Sequence, residues 1–370
     1  MTDATPHAPD ADRAFMARAL QLAARGIETT SPNPRVGAVL VKDGVVIGEG
    51  WHQRAGEAHA EVHALADAAK RGNDVRGATI YVTLEPCDHI GRTPPCSVAL
   101  LEAGVARVVA AMADPHRLAA NGAARLRAAG VTVDFGVLEA EARELNVGFV
   151  SRVIRGRPWV RLKAAASLDG RTALANGESQ WITGEAARAD GHRYRARACA
   201  ILTGIGTVLA DDPQLTARAE GVSRQPLRVV VDRDAKTPPG ARVLTGGRTL
   251  IVTNGARNVA WPGSVDVLAL PERDGRVDLA ALMRELGARE INELHVEAGA
   301  RLSGALLEAG LVDELLLYLA PCLLGDPARG IAEFPIALAR LADRITLSIR
   351  SVERVGEDLR VVARLNTEIV

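Results

Sequence analysis

The feature that most constrains the fold is an alternation of helix-like and strand-like segments, which runs along the chain in two series. In the first series, Asp43-Gly44 joins two apolar strand-like runs, and this dipeptide is a strong hairpin signal. The basic stretch Arg155-Gly-Arg-Pro158 interrupts the pattern, and a new strand-like run begins at Trp159. Helices alternating with strands pack onto sheets, so the sequence predicts an α/β protein with two domains, residues 12–155 and 156–370.

A histidine, a glutamate and two cysteines in the first series have the order expected of a catalytic zinc site. His59-Ala-Glu61 begins a predicted helix, Pro86-Cys87 follows a predicted strand, and Cys96 comes later. One imidazole and two thiolates leave the fourth position of a tetrahedral zinc ion open for a water that the metal activates. Both cysteines lie near predicted helix starts, which favour the thiolate form.

Glu61 is predicted to transfer protons beside the metal rather than to bind it. On a regular helix its side chain points about 200° away from that of His59. Two other interpretations of these residues stay open. His59 and His63, at positions i and i+4, could bind zinc on one helix face, although the HExxH carboxylate is missing. Alternatively, the cysteines are ordinary core residues and the histidine lies on the surface.

Composition favours a small-molecule enzyme. The formal net charge is zero, aromatic residues make up 3%, and the basic residues form no long run, so we expect no nucleic-acid partner. The sequence starts without the pattern of a signal peptide and has no apolar segment of transmembrane length. Four unevenly spaced cysteines do not form a disulfide framework. These observations predict a cytoplasmic protein without a membrane partner.

Several longer motifs resemble those of the bifunctional bacterial riboflavin biosynthesis deaminase/reductases. The motifs are Pro32-Asn-Pro-Arg-Val-Gly37, His59-Ala-Glu-Val-His63, Glu85-Pro-Cys-Asp-His-Ile-Gly-Arg-Thr-Pro-Pro-Cys96, Lys163-Ala-Ala-Ala-Ser-Leu-Asp-Gly-Arg-Thr172, Gly177-Glu-Ser-Gln-Trp-Ile-Thr183, Gly206-Thr-Val-Leu-Ala-Asp-Asp-Pro-Gln-Leu-Thr216 and Val296-Glu-Ala-Gly299. The long loop between the cysteines separates this family from cytidine and transfer-RNA deaminases. The resemblance covers nearly the whole chain.

The resemblance implies an N-terminal cytidine-deaminase-like mixed sheet with flanking helices, and a C-terminal dihydrofolate-reductase-like α/β domain that uses NADPH. A Rossmann fingerprint is absent, because Gly204-Ile-Gly206 is not followed by the third glycine. The family activity is zinc-dependent hydrolytic deamination of 2,5-diamino-6-(5-phosphoribosylamino)pyrimidin-4-one, followed by NADPH-dependent reduction of the ribosyl side chain to ribityl. Family members commonly form dimers or larger homo-oligomers.

Residue roles also follow from the resemblance. In the deaminase, zinc would be bound by His59, Cys87 and Cys96, Glu61 would be catalytic, and the substrate would contact Asn33, His52, His89 and Arg92. In the reductase, NADPH would contact Ala165, Trp181, Thr207, Asp211 and the run that begins at Gly299. The reductase substrate would contact Lys163, Ser179, Arg195, Leu215, Arg218 and Glu297.

Three segments depart from the family pattern. Asp88 and Ile90 replace a serine and an aromatic residue or histidine, Asp114-Pro-His116 has histidine where asparagine is common, and Ala300-Arg301 replaces a proline-led turn. Two other functions are weighed against the bifunctional enzyme. One is a deaminase of nucleosides or nucleic acid with a non-catalytic second domain, which predicts zinc but no NADPH. The other is a ligand sensor that has lost catalysis, against which His59, Glu61, Cys87 and Cys96 all speak.

Overall fold

The computed structural model describes residues 10–89, 94–116, 120–255 and 259–365. The chain divides into two compact units, Met1–Arg155 and Gly156–Val370, at the Gly- and Pro-containing stretch. No helix in the described ranges is both long enough and apolar enough to span a bilayer.

The first unit is a five-stranded mixed sheet with helices packed against it. Its helices are α1 (Asp10–Ala24), α2 (Ala60–Lys70), α3 (Cys96–Ala103), α4 (Gly122–Ala128), α5 (Glu139–Leu145) and α6 (Val147–Arg155). Its strands are β1 (Gly37–Lys42), β2 (Val45–Trp51), β3 (Thr79–Val82), β4 (Arg107–Ala110) and β5 (Thr132–Phe135). The strand order is β2-β1-β3-β4-β5.

The hairpin predicted at Asp43-Gly44 joins β1 to β2 in antiparallel register. Asp43 and Gly44 both have positive φ, 52° and 76°, as a tight two-residue hairpin turn requires. β1 also pairs antiparallel with β3, whereas β3, β4 and β5 run parallel. The parallel strands therefore end at the same edge of the sheet, and the segments that follow β3 and β4 are brought together there.

Close packing of α2 on the hairpin fixes the position of the start of that helix. A Cβ atom added at Gly50 of β2 would lie 2.4 Å from the backbone nitrogen of Ala64 and 2.5 Å from the carbonyl oxygen of Ala60. Only glycine allows the two backbones to approach this closely. The first turn of α2, which carries Glu61, is thereby held against β2.

A buried carboxylate ties α1 to the sheet. Asp12, 5% exposed, accepts hydrogen bonds from the Tyr81 hydroxyl at 2.6 Å and from Arg107 Nη2 at 2.8 Å. The Arg107 guanidinium, assisted by the Tyr81 hydrogen bond, holds the pKa of Asp12 below its usual value. A lowered pKa means that this stabilisation is present above the ordinary value of 3.8 and is lost as the pH falls through the folded-state value.

Replacing Asp12 by Asn is therefore expected to lower the free energy of unfolding of the first unit by ~2 kcal/mol at pH 7. The matched control is Asp10→Asn, since Asp10 is exposed. Urea unfolding of the full chain measures the difference, and the gap between Asp12→Asn and the wild type should shrink as the pH is lowered toward 3. Equal unfolding midpoints at pH 7 would contradict the predicted role of this contact.

The second unit is built around a nine-stranded sheet. Its helices are α7 (Glu185–Arg197), α8 (Ile205–Asp211), α9 (Leu279–Ala288) and α10 (Ala300–Glu308), with short 3-10 turns at Arg242–Leu244 and Leu341–Asp343. Its strands are β6 (Trp159–Ser167), β7 (Arg171–Ala173), β8 (Ala200–Gly204), β9 (Leu227–Val231), β10 (Thr249–Thr253), β11 (Val265–Ala269), β12 (Glu272–Arg273), β13 (Arg276–Val277), β14 (Glu293–Val296), β15 (Glu314–Ala320), β16 (Arg329–Gly330), β17 (Leu347–Val355) and β18 (Asp358–Leu365).

The described sheet has the order β11-β10-β9-β8-β14-β6-β15-β18-β17. The strands from β11 to β15 are parallel, and β18 and β17 add an antiparallel hairpin at one edge. The chain builds outward from β8 to β11 and then returns to insert β14 between β8 and β6. Such a reversal of strand order opens a crevice at the carboxyl ends of parallel strands, where α/β proteins bind their ligands.

One face of the central strands is polar although it is buried. Arg161 of β6 forms ion pairs with Glu293 of β14, at 3.1 Å, and with Glu314 of β15. The residues that alternate with them, such as Leu162, Leu294 and Leu315, belong to the apolar core on the opposite face. The next residues on the polar face are Lys163 on β6 and His295 on β14, so the polar row continues toward the carboxyl edge.

Candidate active sites

The structure brings His59, Cys87 and Cys96 into one group. His59 Nδ1 lies 3.3 Å from Cys96 Sγ and 3.5 Å from Cys87 Sγ, and the three possible ligand atoms lie within 4.8 Å of one another. His59 immediately precedes α2, Cys96 is the first residue of α3, and Cys87 lies in the segment after β3. The parallel sheet edge and two helix starts therefore position the group.

Two expectations about local geometry need correction. His59 is the residue before α2, with extended backbone (φ −79°, ψ 168°), so the helical angle between His59 and Glu61 does not describe their relation. Cys87 does not begin a helix either. Instead the backbone N–H of Cys96, at the start of α3, donates to Cys87 Sγ at 3.4 Å. The start of α3 thus stabilises the Cys87 thiolate through this hydrogen bond, although Cys87 is not part of that helix.

The donor set fits zinc. For bond lengths of about 2.3 Å to sulfur and 2.0 Å to nitrogen, a tetrahedral zinc ion places its sulfur and nitrogen ligands roughly 3.5 Å apart. The observed separations of 3.3 and 3.5 Å agree with this value. Hydrogen bonds from the Cys96 thiol, His59 and the Cys96 backbone lower the pKa of Cys87 to about 4. The pKa of Cys96 is raised instead, by the hydrogen bond between the two side chains and by the burial of Cys96. A thiolate at Cys87, with Cys96 Sγ beside it, suits a bound cation.

Glu61 lies beside this group in a buried position. The residue is 3% exposed, and burial raises the pKa of its carboxyl to about 7. The charge of His59 opposes that rise, and the Cys96 side chain is a hydrogen-bonding neighbour. A carboxyl with a pKa near neutrality can both accept and release a proton under ordinary conditions, as a general acid–base group must.

Two of the predicted substrate residues stand next to the metal group. The side-chain nitrogen of Asn33 donates to His52 Nε2 at 3.1 Å, and His52 Nδ1 donates to the Ala58 carbonyl at 3.0 Å. The His52 and His59 rings meet edge to face, with centroids 5.4 Å apart. Burial lowers the pKa of His52, which keeps the ring neutral. Within the described residues, Asn33 Oδ1 has no hydrogen-bond partner and is available to a ligand.

The loop between the cysteines is described only in part. His89 is exposed, while Arg92 and Ile90 lie outside the described residues. Asp88, one of the departures from the family pattern, accepts a hydrogen bond from Ser97 Oγ at 2.6 Å and forms an ion pair with Arg125. Asp88 therefore anchors the start of this loop to α3 and α4.

Sequence reasoning missed Glu85, which organises the segments around Cys87. Its buried carboxylate accepts three backbone hydrogen bonds, from Asp114 at 3.3 Å, Asn121 at 3.3 Å and Ala123 at 3.1 Å. The only sequence signal was its place directly before Pro86-Cys87. The Glu85 side chain holds the segment after β4 and the start of α4 against the segment that carries Cys87.

Gly122, the first residue of α4, was missed as well. A Cβ atom added there would lie 1.8 Å from the carbonyl oxygen of Pro86, too close for any other residue. The close approach of Gly122 to Pro86 therefore fixes the start of α4 beside the segment that carries Cys87.

The segment Asp114-Pro-His116 departs from the family pattern. Its Asp114 carboxylate accepts a hydrogen bond from the His116 backbone N–H at 2.8 Å. Burial raises the pKa of Asp114 to about 6.

In the second unit, Lys163, Arg195 and Glu297 form a charged group at the carboxyl edge of the sheet. Arg195 Nε and Nη2 bind the two oxygens of Glu297 at 2.5 and 2.8 Å. The charges of Arg195 and Lys163, against the cost of burial, hold the pKa of Glu297 well below its usual range. Burial lowers the pKa of Lys163, although Glu297 opposes that effect. Arg195, which composition alone would place in solvent, is thus engaged in a partly buried ion pair.

Leu215 and Arg218 lie in the segment after α8, which approaches the same group. Arg195 Nη1 donates to the Thr216 carbonyl at 3.0 Å, and Arg218 Nη1 donates to Thr216 Oγ1 at 2.9 Å. Arg218 is largely exposed, and its pKa is lowered by partial burial and by the nearby positive charges of Arg195 and Arg242. No carboxylate pairs with Arg218 in the part of the chain that the structure describes. A cation in this setting suits an anionic ligand.

The residues expected to bind NADPH occupy two places. Gly299 directly precedes α10, without a side-chain cap, and a Cβ atom added there would lie 3.9 Å from Thr207 Oγ1 of α8. Free N–H groups at the start of α10 suit a phosphate, so the residues present fit the cofactor. Asp211 ends α8, and Ala165 lies on β6 beyond Lys163. Ala300-Arg301, which replaces the proline-led turn of the family, forms the first two residues of α10, and the helix is regular there.

Ser179 and Trp181 lie on the segment between β7 and α7. The Trp181 ring is 70% exposed and stacks on the Arg188 guanidinium of α7, 4.6 Å from the ring centroid. An exposed indole of this size has a broad apolar face available for a ligand. Across the described ranges, the structure records no contact of Ser179 or Trp181 with Lys163, Arg195 or Glu297.

Comparisons with known proteins agree with both halves of this description. Residues 9–112 match the model of the cytidine and deoxycytidylate deaminase zinc-binding region, and residues 158–361 match that of the RibD C-terminal domain. The fold and the two sites therefore define a bifunctional enzyme, a zinc-dependent deaminase joined to an NADPH-dependent reductase, as the sequence predicted. The riboflavin biosynthesis protein RibD of Escherichia coli is 50% identical over 362 residues, which cover 94% of this chain and 98% of that protein. The chain belongs to the RibD family of riboflavin biosynthesis enzymes.

Other proteins of this family are also similar to nearly the whole chain. RibD of Haemophilus influenzae is 46% identical, over 95% of this chain and 96% of that protein. The structure of Acinetobacter baumannii RibD matches with a TM-score of 0.88 and 41% identity, covering 97% of this chain and 99% of that chain. A Thermotoga maritima deaminase/reductase structure matches with a TM-score of 0.88 and 35% identity, covering 96% and 99%. The predicted fold class and the two cofactors, zinc and NADPH, are confirmed.

Proposed function

We propose that this chain performs two consecutive steps of riboflavin biosynthesis. The first is hydrolytic deamination of 2,5-diamino-6-(5-phosphoribosylamino)pyrimidin-4-one in residues 12–155. The second is NADPH-dependent reduction of the ribosyl side chain to ribityl in residues 156–370. The observation that carries the proposal is the buried carboxyl of Glu61 beside the His59, Cys87 and Cys96 group. The name of the Thermotoga maritima relative, a diaminohydroxyphosphoribosylaminopyrimidine deaminase/5-amino-6-(5-phosphoribosylamino)uracil reductase, supports the choice of substrate.

In the deamination step, His59, Cys87 and Cys96 would hold the zinc ion, which would lower the pKa of a water so that a nucleophile is available at neutral pH. Glu61 takes a proton from the attacking water and returns it to the departing amino group. Its pKa, raised by burial to about 7, suits both transfers. Water supplies the new carbonyl oxygen, and the amino group leaves as ammonia.

Asn33, His52, His89 and Arg92 are proposed to bind the substrate of this step. The hydrogen bond from Asn33 to His52 Nε2, at 3.1 Å, fixes the orientation of the Asn33 amide. One N–H and the carbonyl oxygen of Asn33 remain for the polar edge of a pyrimidine. His89 and Arg92 belong to the loop between the cysteines, and a positive side chain there suits the ribose phosphate.

In the reduction step, bound NADPH would supply a hydride to the opened sugar imine, and a proton from water would supply the second hydrogen. Ala165, Trp181, Thr207, Asp211 and Gly299 are proposed to contact the cofactor. Lys163, Ser179, Arg195, Leu215, Arg218 and Glu297 are proposed to contact the substrate. Support comes from the charged group of Lys163, Arg195 and Glu297 at the carboxyl edge of the parallel strands. The ion pair with Glu297 orients Arg195. Arg218, which pairs with no carboxylate among the described residues, offers its charge to the substrate phosphate.

We also propose a cytoplasmic homo-oligomer that acts on small molecules and not on nucleic acid. Large apolar side chains are exposed on β17 and on the segment before it, including Ile349 at 66%, Ile336 at 74% and Leu341 at 82%. A long outer strand with an apolar surface suits a contact with a second copy. The zero net charge supports a small-molecule enzyme. Four free cysteines suit a reducing compartment.

Mass spectrometry of the diaminopyrimidinone ribosylamino phosphate incubated with zinc-loaded protein tests the proposal. Without NADPH, the expected product has exchanged an amino group for oxygen, and with NADPH it gains two further hydrogens. Exchange without reduction would support the proposed deaminase activity but would contradict the proposed substrate of the reductase. Absence of exchange would mean that the deaminase acts on a different compound.

A further inference from the structure

The segment from Thr216 to Arg218 is held by side chains that no role so far explains. His192 of α7 accepts a hydrogen bond at Nδ1 from the backbone N–H of Arg218, at 3.3 Å. The Gln225 side chain binds both backbone groups of Ala217, accepting from its N–H and donating to its carbonyl at 2.9 Å each. Together with the bond from Arg195 to Thr216, every residue of this short segment has a backbone group bound by a side chain.

The backbone leading into this segment is also unusual. Leu215 is buried, yet it has a φ of +51°, in the left-handed region that a leucine rarely adopts. Such a conformation costs on the order of 1–3 kcal/mol and persists only where surrounding contacts impose it. The contacts from His192, Arg195 and Gln225 come from both sides of the segment in sequence, and they supply that constraint.

The chemical state of His192 suits the contact. His192 and Arg195 are three residues apart on α7 and therefore share one face of the helix. Burial, followed by the charges of Arg195 and Arg218, lowers the pKa of His192 to about 4. A neutral imidazole with its proton on Nε2 can accept at Nδ1, whereas an imidazolium could not accept the Arg218 N–H.

We propose that His192 and Gln225 are positioning residues of the reductase, which fix the Thr216–Arg218 backbone so that Arg218 presents its guanidinium to the phosphate of the substrate. The inference rests on the proposed role of Arg218. Neither residue touches the reacting atoms. Because the Arg218 side chain is exposed and has only the Thr216 hydroxyl as a described hydrogen-bond partner, its direction depends on the backbone beneath it.

Steady-state kinetics of the full-length enzyme test the proposal, with the deaminated substrate supplied directly and NADPH oxidation followed. His192→Ala is expected to raise the KM for the phosphorylated substrate about tenfold, the effect of one lost hydrogen bond, with kcat changed less than about twofold. Gln225→Ala should behave in the same way. His192→Asn should restore most of the loss, because the Asn side chain also offers an acceptor. Arg193→Ala and Ser223→Ala are the controls, since both side chains are exposed.

A double-mutant cycle separates positioning from general stabilisation. Arg218→Ala should raise KM more than His192→Ala does, and adding His192→Ala to Arg218→Ala should cause little further change. The Kd for NADPH, measured by fluorescence titration, should stay at the wild-type value in all these variants. Additive effects, a raised Kd for NADPH, or a His192→Asn variant as impaired as His192→Ala would each overturn the proposal.

The same data distinguish this inference from the proposed function. A wild-type KM in Arg218→Ala would remove the role of Arg218 in binding the phosphate, and this inference would fall with it. A raised KM in Arg218→Ala together with a wild-type KM in His192→Ala would leave the proposed function intact and overturn the positioning role alone.

Discussion

Glu61→Gln is expected to lower the kcat of deamination on the order of 10³-fold, because the amide cannot carry a proton from water to the leaving amine. The substitution keeps the size and polarity of the side chain, so zinc content and folding should be unchanged. Reduction of the separately supplied uracil intermediate should keep its wild-type rate. Ammonia release from the diaminopyrimidinone substrate, measured together with zinc content, gives the result.

The matched control for this change is Glu57→Gln. Glu57 precedes the same helix but is exposed, and its substitution should leave deamination unaffected. Full activity of Glu61→Gln would show that another group transfers the proton. Loss of zinc in Glu61→Gln would instead place this carboxylate among the ligands.

Cys96→Ala is expected to reduce the zinc content from about one ion per chain to a small fraction, and to abolish deamination. Cys96 is fully buried, and its sulfur is 3.3 Å from His59 Nδ1, so its removal takes away one of the three possible ligand atoms. Reduction of the uracil intermediate should continue. Metal analysis after dialysis and separate assays of the two steps measure these effects.

Cys322→Ala is the control, because Cys322 is an exposed cysteine of the second unit. It should keep both zinc and activity. A Cys96→Ala protein with a full complement of zinc would contradict the proposed ligand set. In that case the pair of His59, which precedes α2, and His63 of α2 would become the better candidate for the metal site.

Local patterns in the sequence predict much of the fold. The hairpin at Asp43-Gly44 and the strand that begins at Trp159 are both present in the structure. Apolar periodicity and turn residues act over a few positions, which is why they can be interpreted without the fold. The long C-terminal hairpin of β17 and β18 was not predicted, since its exposed outer strand lacks a regular alternation of apolar and polar residues.

In the candidate sites too, residues in short local motifs could be predicted, whereas residues that act through tertiary contacts could not. His59, Glu61, Cys87 and Cys96 stand in short motifs whose spacing reflects the chemistry of one metal ion. Glu85 binds backbone groups far along the chain, and His192 and Gln225 bind a segment between them in sequence. Such contacts depend on tertiary packing and leave no pattern of residue types. The pairing of Arg195 with Glu297 is another contact that only the sheet and α7 together create.

The contact of Gly122 with the Pro86 carbonyl extends the zinc motif beyond its ligands. Since a Cβ atom at position 122 would meet that oxygen at 1.8 Å, any side chain there would displace the segment that carries Cys87. The constraint is steric and does not involve the metal, so it applies equally to the protein before and after zinc binds. Glycine at this distant position is therefore a further sequence feature by which a zinc site of this kind can be recognised in other chains.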